Sequence, residues 1–161
     1  FDCVIRTGAL PEDGVIARSL GKLTMVNCAS PHYLTRFGYP QSPDDLTSHA
    51  IVRYTPHLGV HPLGFEVASV NGVQWFKSGG MLTVNSRENY LAAGLAGLGI
   101  IQIPRIAVRE ALRAGRLIEV LPGYRAEPLS LSLVYPQRRE LSRRVNLFMQ
   151  WLAGVMKEHL D

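Results

Sequence analysis

The chain has 161 residues and a formal net charge of +4, and its composition of 47% hydrophobic and 19% charged residues is that of an ordinary globular protein. It is long enough for one domain or for two small lobes, and no apolar run is long enough to span a membrane. Its two cysteines form no C-x-x-C pair, which favours a reducing, cytoplasmic setting. The positive charge permits contact with nucleic acid, but a solvated surface explains it more simply.

The chain opens with short strands and turns. Residues 1–6 are apolar and predict a strand, and residues 7–14 predict a loop. Residues 15–20 are ambiguous. Gly21-Lys22 is interpreted as a turn into a strand over residues 23–28.

A short helix is predicted next. Ser30 is placed to cap it, with Pro31 in the first turn and Gly38 at its end. Its apolar face is predicted to consist of Tyr33, Leu34 and Phe37. Residues 42–46 predict another capped helical turn.

A strand over residues 51–54 is followed by a loop over residues 55–64 that is rich in proline, histidine and glycine. Asn71-Gly72 then predicts a hairpin turn between strands over residues 63–70 and 73–77, because this dipeptide accepts the positive φ angles of the tightest hairpins.

Residues 82–105 predict a strand, a helix and a second strand of a mostly parallel sheet. Asn85 or Ser86 caps the helix, and Asn85 stands three residues before Glu88, the capping-box spacing. Its predicted apolar stripe consists of Leu91, Leu95 and Leu98. Gly99 is the predicted stop, and Pro104 begins the next helix.

The remaining elements continue the alternation of strands and helices. A helix over residues 106–114 is closed by Gly115, and strands are predicted over residues 117–121 and, mostly alternating, over residues 129–135. Ser142 caps the last helix. Its predicted apolar stripe consists of Val145, Phe148, Leu152, Val155 and Met156. The alternation predicts an α/β fold.

Five segments, in this order, together resemble the effector-binding (co-inducer) domain of LysR-type transcriptional regulators. They are DCVIRTG (residues 2–8), CASPHYL (residues 28–34), the central segment of residues 82–105, GRLIEVLP (residues 115–122) and YPQRRELSRRVNLFMQWL (residues 135–152). The resemblance implies a two-lobed fold like that of type II periplasmic binding proteins, cytoplasmic localisation, and a homo-oligomer, with a dimer favoured.

On that resemblance, residues 23–127 form one nearly complete lobe, and residues 1–22 and 128–161 form part of the other. The crossings between them are expected near residues 21–23 and 127–129. The family's winged helix-turn-helix, linker helix and first strand-helix-strand have no counterpart in this sequence, so we expect an N-terminally truncated domain that meets DNA only through an absent N-terminal domain.

Catalytic and metal patterns are weak. His57 and His61 are four residues apart, but Gly59 and Pro62 argue against a helix that would present both rings to a metal. There is no G-x-S-x-G elbow, and Gly94, Gly97 and Gly99 come at the wrong end of the helix for a dinucleotide site. We therefore expect no enzyme activity, no metal and no cofactor. The basic residues Arg138, Arg139, Arg143 and Arg144 are interpreted as a solvated face, with contact to a partner subunit or an acidic linker as the alternative.

A ligand site is expected where the carboxyl ends of strands meet. The groups that the sequence places there are Arg6, Thr7, Gly8, Ser30, Pro31, Asn85 and Ser86. The family resemblance adds Gly99, Ile103 and Pro104. An alternative is that these residues only cap helices and close turns.

The expected ligand is a small organic anion, most simply a carboxylate. The helix after residue 84 begins with free N–H donors and the Ser86 hydroxyl, and the guanidinium of Arg6 can form a fork on a carboxylate. The leading hypothesis is thus a sensor that binds its effector between two lobes. The alternative is a lobe of a transport-type solute-binding protein, or an enzyme on the same fold.

Overall fold

The computed structural model describes residues 2–8, 14–55, 64–136, 142–157 and 160. The strands are β1 (Val4–Thr7), β2 (Val15–Leu23), β3 (Met25–Ala29), β4 (Ala50–Tyr54), β5 (Phe65–Ser69), β6 (Gly72–Phe76), β7 (Gly79–Val84), β8 (Ile101–Pro104), β9 (Ile118–Glu119) and β10 (Leu129–Pro136). The helices are α1 (Pro31–Phe37), α2 (Arg87–Leu95), α3 (Arg105–Arg113) and α4 (Arg143–Met156), with a 3-10 helix at Pro43–Ser48. His57, His61 and the pair Arg138-Arg139 lie outside the described residues.

The chain divides into two compact units. Unit 1 is Phe1–Thr24 with Pro128–Asp161, and unit 2 is Met25–Glu127. In unit 1, β10 lies between β1 and β2 and is antiparallel to both.

Strand β2 is longer than the sequence indicated. Gly21 and Lys22 do not turn the chain but continue β2, where Gly21 pairs with Leu131. Ser132 pairs with Ser19, so Leu20 has no opposite residue and forms a β-bulge. The bulge keeps the strand hydrogen-bonded through a segment whose composition is typical of a turn.

Burial in β10 and α4 also differs from the prediction. Residues 131–134 of β10 are all buried rather than alternating, because both faces of the strand are covered there. In α4, Ser142 accepts a hydrogen bond from the Val145 N–H (3.3 Å), as predicted for a cap. Phe148 and Val155 are 46% and 41% exposed, however, and Met149 is the buried residue. Met149 stands four residues after Val145 and so shares its face.

Unit 2 is built on a mixed sheet rather than a mostly parallel one. Strand β4 is parallel to β7, and Ile51 forms a parallel bridge with Ile100, at the start of β8. Strand β3 runs antiparallel to both β8 and β9. The order in space is therefore β7-β4-β8-β3-β9, with β4 between the two strands that α2 connects.

The sheet of unit 2 has a hydrophobic cluster on each face, because successive strand residues point to opposite sides. The cluster that includes α2 and α3 contains Val26, Cys28, Val52, Tyr90, Ala93, Ile101, Ile103, Val108, Ala111 and Leu117. The cluster that includes α1, the 3-10 helix and the hairpin contains Ala29, Tyr33, Leu34, Leu46, Ile51, Phe65, Val67, Ile100, Val120 and Leu121.

Helix α2 is capped by Ser86, not by Asn85. It ends at Leu95, and Gly97 (φ +78°) closes it: the Gly97 N–H donates to the Gly94 carbonyl and the Leu98 N–H to the Ala93 carbonyl. Gly99 is therefore not the stop. Leu98, which was predicted to lie on the apolar stripe of the helix, follows the helix and is 54% exposed.

Three smaller predictions need correction. The hairpin pairs Ser69 with Gly72, so Val70 and Asn71 form the turn instead of Asn71-Gly72. Phe37 is 49% exposed and stacks on Tyr33 instead of being buried. Strand β9 covers only Ile118–Glu119, whereas residues 117–121 were predicted to be a strand. Among the described residues, no helix is long and apolar enough to cross a membrane.

Candidate functional site

The direction of β3 separates the predicted ligand residues of unit 2 into two groups. Ser30 follows the carboxyl end of β3, and Ser86 follows that of β7. In a parallel sheet these ends would meet at one edge. Because β3 is antiparallel to β8, its Cys28 pairs with Ile101 and its Met25 with Pro104. The two groups therefore lie at the two opposite edges that the strand ends form, about 10 Å apart along β8.

The first group consists of Ser30, Pro31 and Gly99, and its members are used for packing. The Ser30 hydroxyl caps α1 by accepting the Tyr33 N–H (3.2 Å). A Cβ atom at Gly97 would lie 3.0 Å from that hydroxyl, and one at Gly99 would lie 2.5 Å from the Ala50 carbonyl oxygen. The cap explains Ser30, the first turn of α1 explains Pro31, and the close approach explains Gly99, all without a ligand.

The second group consists of Asn85, Ser86, Ile103 and Pro104. Asn85 is exposed and forms no hydrogen bond within the described part of the chain. Beside it ends β4, whose Tyr54 pairs with Val84 and is 37% exposed. The Tyr54 ring also lies against Tyr90, with ring centroids 5.6 Å apart. Sequence reasoning missed Tyr54, although an aromatic residue ending a strand parallel to β7 is the signal that would have found it.

The start of α2 already holds a negative charge. The Ser86 hydroxyl accepts the Asn89 N–H (3.1 Å) and donates to the Glu88 carboxylate (3.0 Å). The carboxylate of Glu88 also accepts the N–H of its own residue, and these two hydrogen bonds lower the pKa of Glu88. The chain's own anion thus occupies the helix terminus where the sequence predicted a bound one.

In unit 1, the three predicted residues lie at the end of β1. Arg6 pairs with Ser132 across the sheet, and its exposed side chain forms no hydrogen bond or ion pair with the described residues. Thr7 is half-buried. Gly8 has φ +81°, and its N–H donates to the Ser130 carbonyl (3.0 Å). Positive φ accounts for glycine at this position.

Residues 1–157 match the family model described as the LysR substrate binding domain. The chain belongs to this family. It is thus the effector-binding domain of a LysR-type transcriptional regulator, and the predicted fold, like that of type II periplasmic binding proteins, is confirmed.

The similar proteins of this LysR family are described as regulators. The HTH-type transcriptional regulator YhjC of Escherichia coli strain K12 is 98% identical over 161 residues, which are all of this chain and 54% of that protein. An HTH-type transcriptional regulator of Haemophilus influenzae is 34% identical over 145 residues, covering 90% of this chain and 50% of that protein. The chain therefore spans about half the length of these curated relatives.

Among solved structures, the regulatory domain of CrgA, a LysR-type regulator from Neisseria meningitidis, aligns with a TM-score of 0.81 at 26% identity. The alignment covers 96% of this chain and 74% of that one.

Two features of the described part of this LysR domain bear on metal binding and on nucleophilic chemistry. It contains no group of three or more His, Cys, Asp or Glu side chains that could hold a metal ion. Burial raises the pKa of the Cys28 thiol to about 12, and Glu119 adds to the effect, so the thiolate nucleophile is scarcely populated at neutral pH.

Proposed function

We propose that this LysR domain senses a small carboxylate at the edge of unit 2 formed by Asn85, Ser86, Ile103 and Pro104. The proposal also covers the whole regulator: the helix-turn-helix in the names of its relatives supports a cytoplasmic DNA-binding protein that assembles as a homo-oligomer. The proposed site does not include Ser30, Pro31 and Gly99, because capping and close backbone packing explain these residue types.

The observation that carries the proposal is the position of the Glu88 carboxylate. It accepts hydrogen bonds from the Ser86 hydroxyl and from its own backbone N–H at the positive end of the α2 dipole. Those donors suit any carboxylate, and Glu88 is fully exposed on a flexible side chain. A ligand carboxylate would displace Glu88 and take the same donors.

The neighbouring residues suit an organic ligand. Asn85 offers an amide that no described residue uses, and the exposed part of the Tyr54 ring offers an apolar face. Arg6, in unit 1, is an exposed cation without a partner in the described residues, and its part in binding is a separate question.

The test is a thermal-shift screen of small carboxylates against their neutral amides, on this chain and on the full-length relative that is 98% identical. Glu88→Gln is expected to strengthen carboxylate binding, because it removes the internal competitor. Ser86→Ala is expected to weaken binding and also to cost about 1 kcal/mol of folding stability as a lost cap. Glu127→Gln, which removes an exposed carboxylate elsewhere in unit 2, is the matched control.

Arg6→Ala, compared with Arg18→Ala on the exposed part of β2, tests whether the β1 cation contributes. Hits that are neutral or cationic, and that neither Glu88→Gln nor Ser86→Ala alters, would contradict the proposed carboxylate site.

A further inference from the structure

Helix α3 carries a line of arginines that are largely unpaired among the described residues. Arg105, Arg109 and Arg113 follow one another at intervals of four residues, and Arg116 comes in the turn after the helix. Residues 105–116 hold these four arginines and one glutamate, a net charge of +3 in a chain whose total is +4. Residues 138–144 carry the same net charge of +3, so this stretch is one of two basic stretches in the sequence.

The line lies along one flank of α3. Val108 and Ala111 are the buried residues that pack against the sheet, and the arginines lie to one side of them. Arg113 is exposed and Arg109 half-buried. With a rise of about 1.5 Å per residue, the three helical arginines span about 12 Å. We call the three helical arginines and Arg116, which follows in the next turn, the basic ridge.

Within the described ranges, an acidic partner is found for one member of the ridge. Glu119 lies 3.5 Å from Arg105 and 2.6 Å from Arg125, so a single carboxylate serves two cations. Arg109, Arg113 and Arg116 form no hydrogen bond or ion pair within the described ranges of the chain. Like charges four residues apart repel each other, so this arrangement opposes helix stability unless an external anion relieves it.

We propose that the ridge binds the phosphate backbone of duplex DNA, independently of base sequence, which departs from the expectation that only the absent N-terminal domain meets DNA. A duplex strand carries one phosphate per 3.4 Å of axis, so a 12 Å ridge can reach about three phosphates. Arginine matches phosphate oxygens with its planar, forked set of donors. The inference rests on the proposed place of the domain in a DNA-bound regulator, where tethering would raise the local concentration of phosphate.

An acidic protein is the less suitable partner. The centres of protein interfaces are depleted of charge and enriched in aromatic residues. The exposed side of α3 offers Ile106, 36% exposed, as its one large exposed apolar side chain among the described residues. A surface of this composition suits a charged, solvated backbone better than an apolar patch on another protein.

The experiment is fluorescence anisotropy of a labelled 30-base-pair duplex of arbitrary sequence, titrated with this chain over a range of salt concentrations. The ridge variant is Arg109→Gln, Arg113→Gln and Arg116→Gln. The control variant, Arg143→Gln, Arg144→Gln and Lys157→Gln, removes the same charge from exposed positions in and just after α4. Melting curves check that both variants fold.

The ridge variant is expected to weaken binding by more than about tenfold at low salt and to reduce the slope of log K against log salt by about 3. The control variant should change that slope by less than about 1, and duplexes of unrelated sequence should compete equally. Equal losses in the two variants would overturn the proposal, as would tighter binding to polyglutamate or to anionic vesicles. Neither outcome bears on the carboxylate screen, which uses no DNA.

Discussion

The Tyr33 hydroxyl lies 3.0 Å from Nδ1 of His49, and both side chains are buried. The same hydroxyl accepts the Ala50 N–H (2.9 Å) and lies 3.4 Å from the Ala50 carbonyl oxygen. The Tyr33 hydroxyl therefore lies within hydrogen-bonding distance of Nδ1 of His49 and of both backbone groups of Ala50. Burial lowers the pKa of His49, and the nearby charge of Asp45 offsets this in part.

We expect the chain to lose stability as the pH falls below the usual histidine pKa of 6.5. The unfolded chain binds a proton at His49 there, whereas the folded chain does so only below its own, lower pKa, so protons favour unfolding. Urea denaturation between about pH 5 and pH 7.5 measures the effect and avoids the carboxyl range. His49→Gln should flatten the dependence, and His32→Gln, at an exposed position, should leave it unchanged. The same slope in both variants would contradict this account.

Gln102 joins β8 to β3 and to the hairpin. Its amide NH₂ donates to the Asn27 side-chain oxygen (2.9 Å) and to the Glu66 carbonyl (2.8 Å), and its amide oxygen accepts the Glu66 N–H (2.9 Å). Gln102→Met removes all three bonds and leaves buried Asn27 under-satisfied, so we expect a loss of about 2–4 kcal/mol in unfolding free energy. Gln74→Met, at an exposed hairpin position, should change it by less than about 0.5 kcal/mol. Chemical denaturation of the two variants compares them directly.

Gly99 is required by backbone geometry. Its φ of +157° and the Ala50 carbonyl oxygen, 2.5 Å from an added Cβ, leave no room for a side chain. Gly99→Ala is expected to cost more than about 2 kcal/mol, because two stretches of backbone would have to separate. Gly123→Ala is the matched substitution, since its Cβ would meet no atom within 4 Å. A stable Gly99→Ala protein in denaturant titrations would refute the contact.

Helix α4 exposes apolar side chains of a kind that favours association. Leu147, Phe148 and Trp151 are 56%, 46% and 61% exposed, and the rings of Phe148 and Trp151 lie 5.8 Å apart. We expect the chain to self-associate at high concentration, as large exposed apolar patches commonly do. Trp151→Glu should shift light scattering toward the monomer. Tyr39→Glu, which alters a 55% exposed aromatic residue of unit 2, should not. A monomer at every concentration would rule out this association.

Local features of the chain were predictable from sequence because their partners are near in sequence. The caps Ser30, Ser86 and Ser142 each accept a hydrogen bond from an N–H three residues ahead. Residue type and spacing were therefore enough to predict them. The family was also recognisable, since ordered motifs need no coordinates. Two local signals each allowed more than one outcome. Asn85 and Ser86 were both suitable caps for α2, and Ser86 is the cap. Asn71-Gly72 predicted the hairpin turn, but the pairing of Ser69 with Gly72 places the turn at Val70 and Asn71.

The direction of β3 was decided by tertiary structure alone. An apolar strand has the same two-residue period whether it runs parallel or antiparallel to its neighbour, so nothing in residues 25–29 indicates that Met25 pairs with Pro104. That pairing places Ser30 and Ser86 at opposite edges of the sheet, and only Ser86 with Asn85 belongs to the site that we propose. The sequence determined which residues end strands and cap helices, whereas long-range hydrogen bonding determined which of those ends meet.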